Sequence, residues 1–411
     1  MGWALEENLH LAMNLRTNTD RKRDRILRLC VAALLLLTSN GGTTPAPLRR
    51  QEQEADTPEL HIVRGSGFYN RNDMKAAEAE FRIAIRMKPD SAEAHRRLGM
   101  ALKEEGEIKD ALVELRAAMT LAPNDPRSHE SMGSLLGTMG DWKGAETEFR
   151  QSLNLKSDDA EVHYKLAYVL EKNGNGAGAE EQYRESLRLN PDDAEVHYGF
   201  GGLLRNNGNQ AHAEAEFREA LQLRPNYTDA HIALGLVLRA RGEVRAAEIE
   251  TREAVRLSPR YATAHLYLGH LLYAKQDLQG AEAEYRESAR LDPKSAEAHN
   301  MLGVVFFARG EMKSADAEFH ESLRLASDNA STHNNLGSLL FTQGDTKSAE
   351  AEFREAIRLA PKDAAGHCNL GILLEQEGDT AAATSEFRMA LQLDPSNQAA
   401  KEHLEKLEGK R

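Results

Sequence analysis

From Pro58 onward, apolar residues return on a helical rhythm that is itself periodic. With Ala92 as position 1, positions 4, 7, 8 and 11 fall at i, i+3, i+4 and i+7 and mark one helix face. Positions 20, 24, 27 and 28 mark the face of a second helix, and polar or charged residues fill the spaces between. The pattern starts again every 34 residues. His-x-x-Leu-Gly recurs at His95, His231, His265, His299, His333 and His367, and Ala-Glu-x-Glu-Phe/Tyr-Arg-Glu keeps step with it, as at Ala213–Glu219. At that period residues 58–397 make ten repeats without an insertion, each predicted to be a helical hairpin, and residues 398–411 are left over.

The joints follow the same period. Position 15 is Gly in eight repeats, with Asn72 and Gln276 as departures. Gly enters the left-handed region without strain, so it is predicted to stop the first helix. Position 32 is Pro in eight repeats, Ser157 and Ser327 being the exceptions, and it ends the second helix. Position 34 is Ser, Asp or Asn in eight and can cap the next helix. Position 8 is Gly in nine repeats and Ala167 in the fourth, position 20 is Ala in all ten, and position 24 is Phe or Tyr in eight. The two small residues let the helices cross closely, and the ring fills the space beside them. One hairpin cannot bury its apolar stripe alone; a stack of ten can.

These residues at this spacing resemble the tetratricopeptide repeat family over residues 58–397. The resemblance implies an all-α, right-handed superhelical solenoid of helix-turn-helix repeats. The terminal segments depart from the pattern as such arrays require. Arg64 stands where Leu is expected, and residues 398–411 hold an amphipathic stretch bearing Lys401, Glu402, Glu405 and Lys406, read as a C-terminal capping helix. The organisation expected is therefore a leader and linker (1–57), ten repeats (58–397) and the cap (398–411).

The resemblance further implies that positions 2, 5, 9, 12 and 13 of the first helices line a concave groove. They lie on the face away from the packing stripe. In repeats two to five they are mixed in charge and rich in tyrosine: Glu93, Arg96, Met100, Lys103, Arg127, Glu130, Tyr164, Tyr168, Lys172, Tyr198 and Arg205. In repeats six to nine they are mostly apolar or aromatic: Ile232, Leu236, Arg239, Leu266, His270, Tyr273, Asn300, Val304, Phe307, Asn334 and Phe341. Exposed apolar side chains in a concavity are costly unless something covers them. The expected occupant is a peptide or an extended protein segment, and the alternative is that these side chains pack on the neighbouring repeat. The array is also similar to that of the O-linked N-acetylglucosamine transferases, which carry an asparagine ladder at position 6. Only Asn335 and Asn369 occupy that position here, and no transferase domain is present.

Composition narrows the partner. Lys plus Arg is 52 and Asp plus Glu is 65, a net charge of −13, which argues against a general nucleic-acid binder, whose affinity rests on neutralised phosphates. The two cysteines, Cys30 and Cys368, are too few and too distant for a disulfide framework or a CxxC metal site. No phosphate-binding loop or nucleophile elbow occurs, and His129-Glu130 and His320-Glu321 lack the second His of a zincin helix. No cofactor, metal or small-molecule substrate is expected. The reading is a non-enzymatic scaffold or adaptor. Its alternative is a regulatory or targeting subunit of a separately encoded transferase or secretion complex, and self-association is a further option.

Two periodic polar features bear on this. Position 4 is His in all ten repeats. The plain expectation is an imidazole packed between hairpins in place of a larger ring. A metal ladder is disfavoured by the spacing of stacked helices, about 8–10 Å, against metal–nitrogen bonds of about 2 Å. A pH sensor would follow if the rings are buried neutral, since protonation near pH 5–6 would then loosen the array. Glu at position 21 and Arg at position 25, as in Glu214/Arg218, are expected to decorate a solvated face.

The first 57 residues differ from the rest. Arg21 to Arg28 is basic, Leu29 to Leu37 is apolar, and small polar residues follow, the layout of a secretory signal peptide. An exported protein, periplasmic or secreted, is expected on this reading. The nine apolar residues are too few to span a bilayer, which needs about 20. A membrane-proximal anchor and a plain extension of a cytoplasmic protein stand as alternatives.

Overall fold

The computed structural model describes residues 56–409; the leader-like segment lies outside the described residues. The chain divides after Gly199 into two compact halves, considered separately below. Among the described residues there are 21 helices and no strand. They run as tandem antiparallel pairs, from Pro58–Asn70 with Met74–Met87 to Ala364–Glu377 with Thr380–Leu393, followed by a single helix Gln398–Glu408.

Each hairpin is built as its residues dictate. Ser91, Asp159, Ser295 and Asn329 at position 34 accept from the backbone N–H three residues on, at 3.1–3.4 Å. Asp or Asn at position 16 does the same for the second helix, as Asp277 does for Gly280 at 2.9 Å. The eight glycines at position 15 have φ between 76° and 88°, and Asn72 and Gln276 are held in the same left-handed region at 65° and 63°. The ten alanines at position 20 are fully buried. A Cβ added to Gly269 or Gly303 would sit 2.5 Å from the ring of Tyr285 or Phe319. The glycine is what lets that ring lie against the first helix, and burying each ring is worth about 2–3 kcal/mol.

The terminal helix covers the last hairpin. Ala400 and Leu407 join the core around Phe387, His403 stacks on Phe387 at 5.3 Å, and Glu375 takes His403 Nδ1 at 2.5 Å and Lys406 Nζ at 2.7 Å. Its remaining charged residues face solvent, as does Arg64 at the other end.

One expectation is corrected here. The Glu residues at position 21 are not simply solvated. Glu214 and Glu282 are buried, each gripped by its own Arg at position 25 and by the position-14 Arg of the next repeat, Arg241 and Arg309. Lys275 reaches Glu248 and Asn173 reaches Glu146 in the same way, at 2.6 and 2.7 Å. The glutamate is a bridge between repeats because position 14 sits at the end of the incoming first helix.

The position-4 histidines do pack between hairpins, six of them buried, and they are hydrogen-bonded there as well. In eight repeats Nδ1 lies 2.5–2.7 Å from Oε2 of the Glu at position 23, and in the fourth it meets Oε1 of Gln182 at 2.7 Å. In seven, Nε2 meets the position-32 carbonyl oxygen of the preceding repeat at 3.0–3.2 Å. Among the described residues no three His, Cys, Asp or Glu side chains gather as a metal site.

Candidate functional site: the exposed faces of the first helices

In the N-terminal half this face is a chain of ion pairs. Glu93 takes Arg96 at 2.7 Å, Arg97 at 2.9 Å and Arg127 of the next repeat at 3.5 Å. Burial pushes the Glu93 carboxyl up, but Arg96 and Arg97 outweigh it and hold it below the usual carboxylate range. Further along, Lys165 Nζ lies 2.6 Å from Glu130 and 2.7 Å from Glu161. Burial opposes the Lys165 charge, yet the two carboxylates hold its ammonium well above the usual lysine range. Beyond it is an aromatic cluster: Tyr164 against Tyr183, with centroids 6.0 Å apart, and Trp142 edge-on to Tyr168 at 6.1 Å, with Lys172 Nζ 4.9 Å from the Tyr168 ring. Burial pushes the Tyr164 and Tyr183 hydroxyls far up, so both stay protonated.

In the C-terminal half the same positions carry amides and rings. Asn335 Nδ2 donates to Asn300 Oδ1 at 3.0 Å, and Asn369 Nδ2 donates to Asn334 Oδ1 at 2.9 Å. His270 lies 3.0 Å from the Tyr285 hydroxyl through Nδ1 and 3.3 Å from Glu297 through Nε2. Tyr273, Val304 and Phe307 pack at the rim of the core around Leu302 and Phe306, and Phe341 at the rim of the core around Phe353 and Leu370. Where Thr251 replaces the position-24 ring, a narrow crevice lined by Gly235, Leu236, Arg239, Tyr267 and Leu271 has no room for water.

The position-5 residues are not open to solvent as expected. Arg96, Tyr164, Ile232, Leu266 and Asn300 are all 8% exposed or less. Arg239 is exposed, and Tyr168, Tyr198, Arg205, Leu236, His270, Tyr273, Val304, Phe307, Asn334 and Phe341 are half-buried. For Tyr164, Ile232, Leu266 and Asn300 the cause is position 6 of the following repeat, which meets position 5, whereas Arg96 is held by Glu93 and Met100 of its own helix. Lys165 meets Glu130, Asn335 meets Asn300, and Asn369 meets Asn334, each across 35 residues. The apolar pairs obey the same offset: Ile232 shares a cluster with Tyr267, Leu266 with Met301, and Tyr164 lies over Gly199, 3.3 Å from where a Cβ would be. Lys165, Glu161, Glu297 and Ser338 were missed among the candidate residues. The 35-residue offset signals Lys165 alone; Glu161, Glu297 and Ser338 stand at the groove positions 2 and 9, where they meet Lys165, His270 and Asn369.

Tandem helical hairpins closed by small residues at positions 8 and 20, with graded side chains on the first helices, define a helical-repeat protein of the kind that typically serves as an interaction scaffold. The chain belongs to the tetratricopeptide repeat family: models of that repeat match residues 62–126, 131–194 and 334–398, and another matches residues 294–362. The model of the cilia and flagella-associated protein 70 middle TPR-like domain matches residues 164–325. No curated protein matches the chain. Among solved structures, the Cut9–Hcn1 hetero-tetramer of the APC/C is similar at 14% identity with a TM-score of 0.50, over 86% of this chain and 96% of the other. Yeast Tom70 is similar at 15% identity and a TM-score of 0.49, over 87% and 89%. Pseudomonas aeruginosa PilF is similar at 21% identity and 0.46, over 51% and 96%. Such identities speak to the fold alone.

Proposed function

We propose that the protein is a non-enzymatic scaffold that holds an extended segment of another protein along the first-helix face of its C-terminal half. The observation that carries this is the pair of amide contacts Asn335–Asn300 and Asn369–Asn334, flanked by half-buried Tyr273, Val304, Phe307 and Phe341. A side-chain amide offers both a donor and an acceptor, the complement of a peptide group. The contact between neighbours uses one N–H of Asn335 or Asn369, leaving the carbonyl oxygen of each for a peptide N–H. The flanking rings offer rigid apolar area beside those amides. The N-terminal half suits this role less, because its charges already answer one another.

The test is an array of extended peptides probed with the full chain. Binding should fall at least tenfold in the pair Asn335→Leu and Asn369→Leu and be unchanged in Lys165→Met. Equal retention by the Asn pair and the parent, with helicity intact, would sink the reading. Export is proposed from the leader-like segment, and sequencing the mature N-terminus of the secreted protein checks it.

A further inference from the structure

We propose that the position-4 histidines are proton-held clamps between successive repeats, so that the array is tightest in mildly acidic solution and loosens as the medium turns alkaline. The argument begins with donor counting. A neutral imidazole has one N–H and one lone pair, whereas the imidazolium has two N–H groups. At His95, His129, His231, His265 and His333, Nδ1 faces a carboxylate oxygen and Nε2 faces a backbone carbonyl oxygen. Neither partner can donate while the Glu is ionised. Both contacts are hydrogen bonds together only when the ring carries two protons.

The fourth repeat supplies an internal contrast. His163 meets Gln182 and the Ser157 carbonyl oxygen. The Gln amide can turn over and donate to Nδ1 while Nε2–H donates to the carbonyl. His163 therefore keeps both contacts as a neutral ring. The other five lose one of theirs when they lose a proton.

The surroundings favour the charge. His231 faces Glu250 and, beyond it, Glu253, which Arg256 also holds at 2.5 Å; the Pro225 carbonyl closes the other side. His265 faces Glu284 and Glu287, the latter held by Arg290 at 2.5 Å, with the Pro259 carbonyl opposite. Beside His333, Glu355 adds to Glu352, with Arg358 on Glu355; facing Glu114 of the His95 pair is Arg82 of the preceding second helix. At His231 burial works against the charge, but the Glu250 contact and the Pro225 carbonyl outweigh it, and the ring titrates above the usual histidine range. At His265 the Glu284 contact is the largest influence, and the ring again titrates high.

At His231 and His265 a folded-state value above the unfolded one, near 6.5, gives stability that is complete below about pH 6.5 and is lost as pH rises through the folded value. This reverses the acid-loosening expected for buried neutral rings. The clamp ties together a first helix, its own second helix and the loop arriving from the preceding repeat. Its release loosens the joint on which successive first helices are spaced. The inference stands on these contacts and is independent of what the first-helix face binds.

The test uses the full chain and a variant in which E114Q, E148Q, E250Q, E284Q and E352Q give each ring the arrangement of repeat four. Thermal unfolding is followed from about pH 6 to about pH 9. The parent midpoint should fall by several degrees, and the variant profile should be close to flat. A parent midpoint that stays level or rises, or a variant that falls as steeply as the parent, overturns the proposal. Nitrogen-15 imidazole spectra of the parent at pH 7 decide the matter even if the variant does not fold. Two N–H groups at His231 and His265 and one at His163 support the clamp; a single N–H at all three overturns it.

Discussion

On the first helices of residues 56–199 the polar side chains meet one another charge for charge, whereas in residues 200–409 the same positions hold amides and rings. Both halves obey the same contact, position 5 of one repeat against position 6 of the next. In the first it is Glu130 with Lys165, and in the second it is Asn300 with Asn335. The difference teaches how one backbone frame can be made inert or receptive. A buried ammonium between two carboxylates has its electrostatic demand met, and an incoming group must displace a partner to bind. An amide that gives one N–H to its neighbour still offers an oxygen.

The strongest way to break the contrast is Lys165→Met, which leaves Glu130 and Glu161 facing each other without their cation. The N-terminal half should lose about 3 kcal/mol in urea unfolding, with faster amide exchange confined to its repeats. Acid should act on the same half through Glu93. Its carboxyl titrates below the usual range because Arg96 and Arg97 outweigh burial. The stability it contributes is present above about pH 4.3, the unfolded value, and is lost as pH falls through the folded one. Glu93→Gln should remove that part of the acid sensitivity, and an unchanged acid profile would count against the network.

Asn335→Leu is next in size. It strands the buried Oδ1 of Asn300 and should cost about 2 kcal/mol in the C-terminal half, independent of pH between 5 and 8, as expected for an amide contact rather than an ionic one. Gln276→Gly should stabilise that half by about 1 kcal/mol, because Gln276 is a non-glycine residue at φ 63°. It touches no first-helix contact, so peptide capture should be unaltered. The smallest effect is expected at Glu105, the position-14 residue that faces Glu78 where the sixth, seventh and eighth repeats place Arg241, Lys275 and Arg309; burial pushes its carboxyl up and Glu78 adds to this. Glu105→Arg should gain about 0.5 kcal/mol by restoring the inter-repeat bridge, read as a rise in the urea midpoint.

The hairpins were legible because their grammar is local and repeated. Gly at position 15 must take a positive φ, Ala at position 20 must touch its partner helix, and Pro at position 32 must stop a helix. Each is a backbone demand that a residue type reveals by itself. The site was less legible. Tyr164, Ile232, Leu266 and Asn300 lie on the face away from the intra-hairpin stripe, and helical periodicity within one repeat places them outside. Burial there comes from the next repeat, so only the 35-residue offset carries the information. The glutamates at position 21 were misread for a related reason. They look like surface charge on an isolated helix and become bridges once the next first helix arrives.

The 35-residue contact also decides which repeats can be excised. Deleting the ninth repeat, residues 330–363, would bring Asn300 against Asn369, the same amide pair as before. Deleting the fourth, residues 160–193, would bring Glu130 against Gly199 and remove its lysine. A shortened chain should tolerate the first cut and resent the second, so the array is modular toward its C-terminus and bespoke before it.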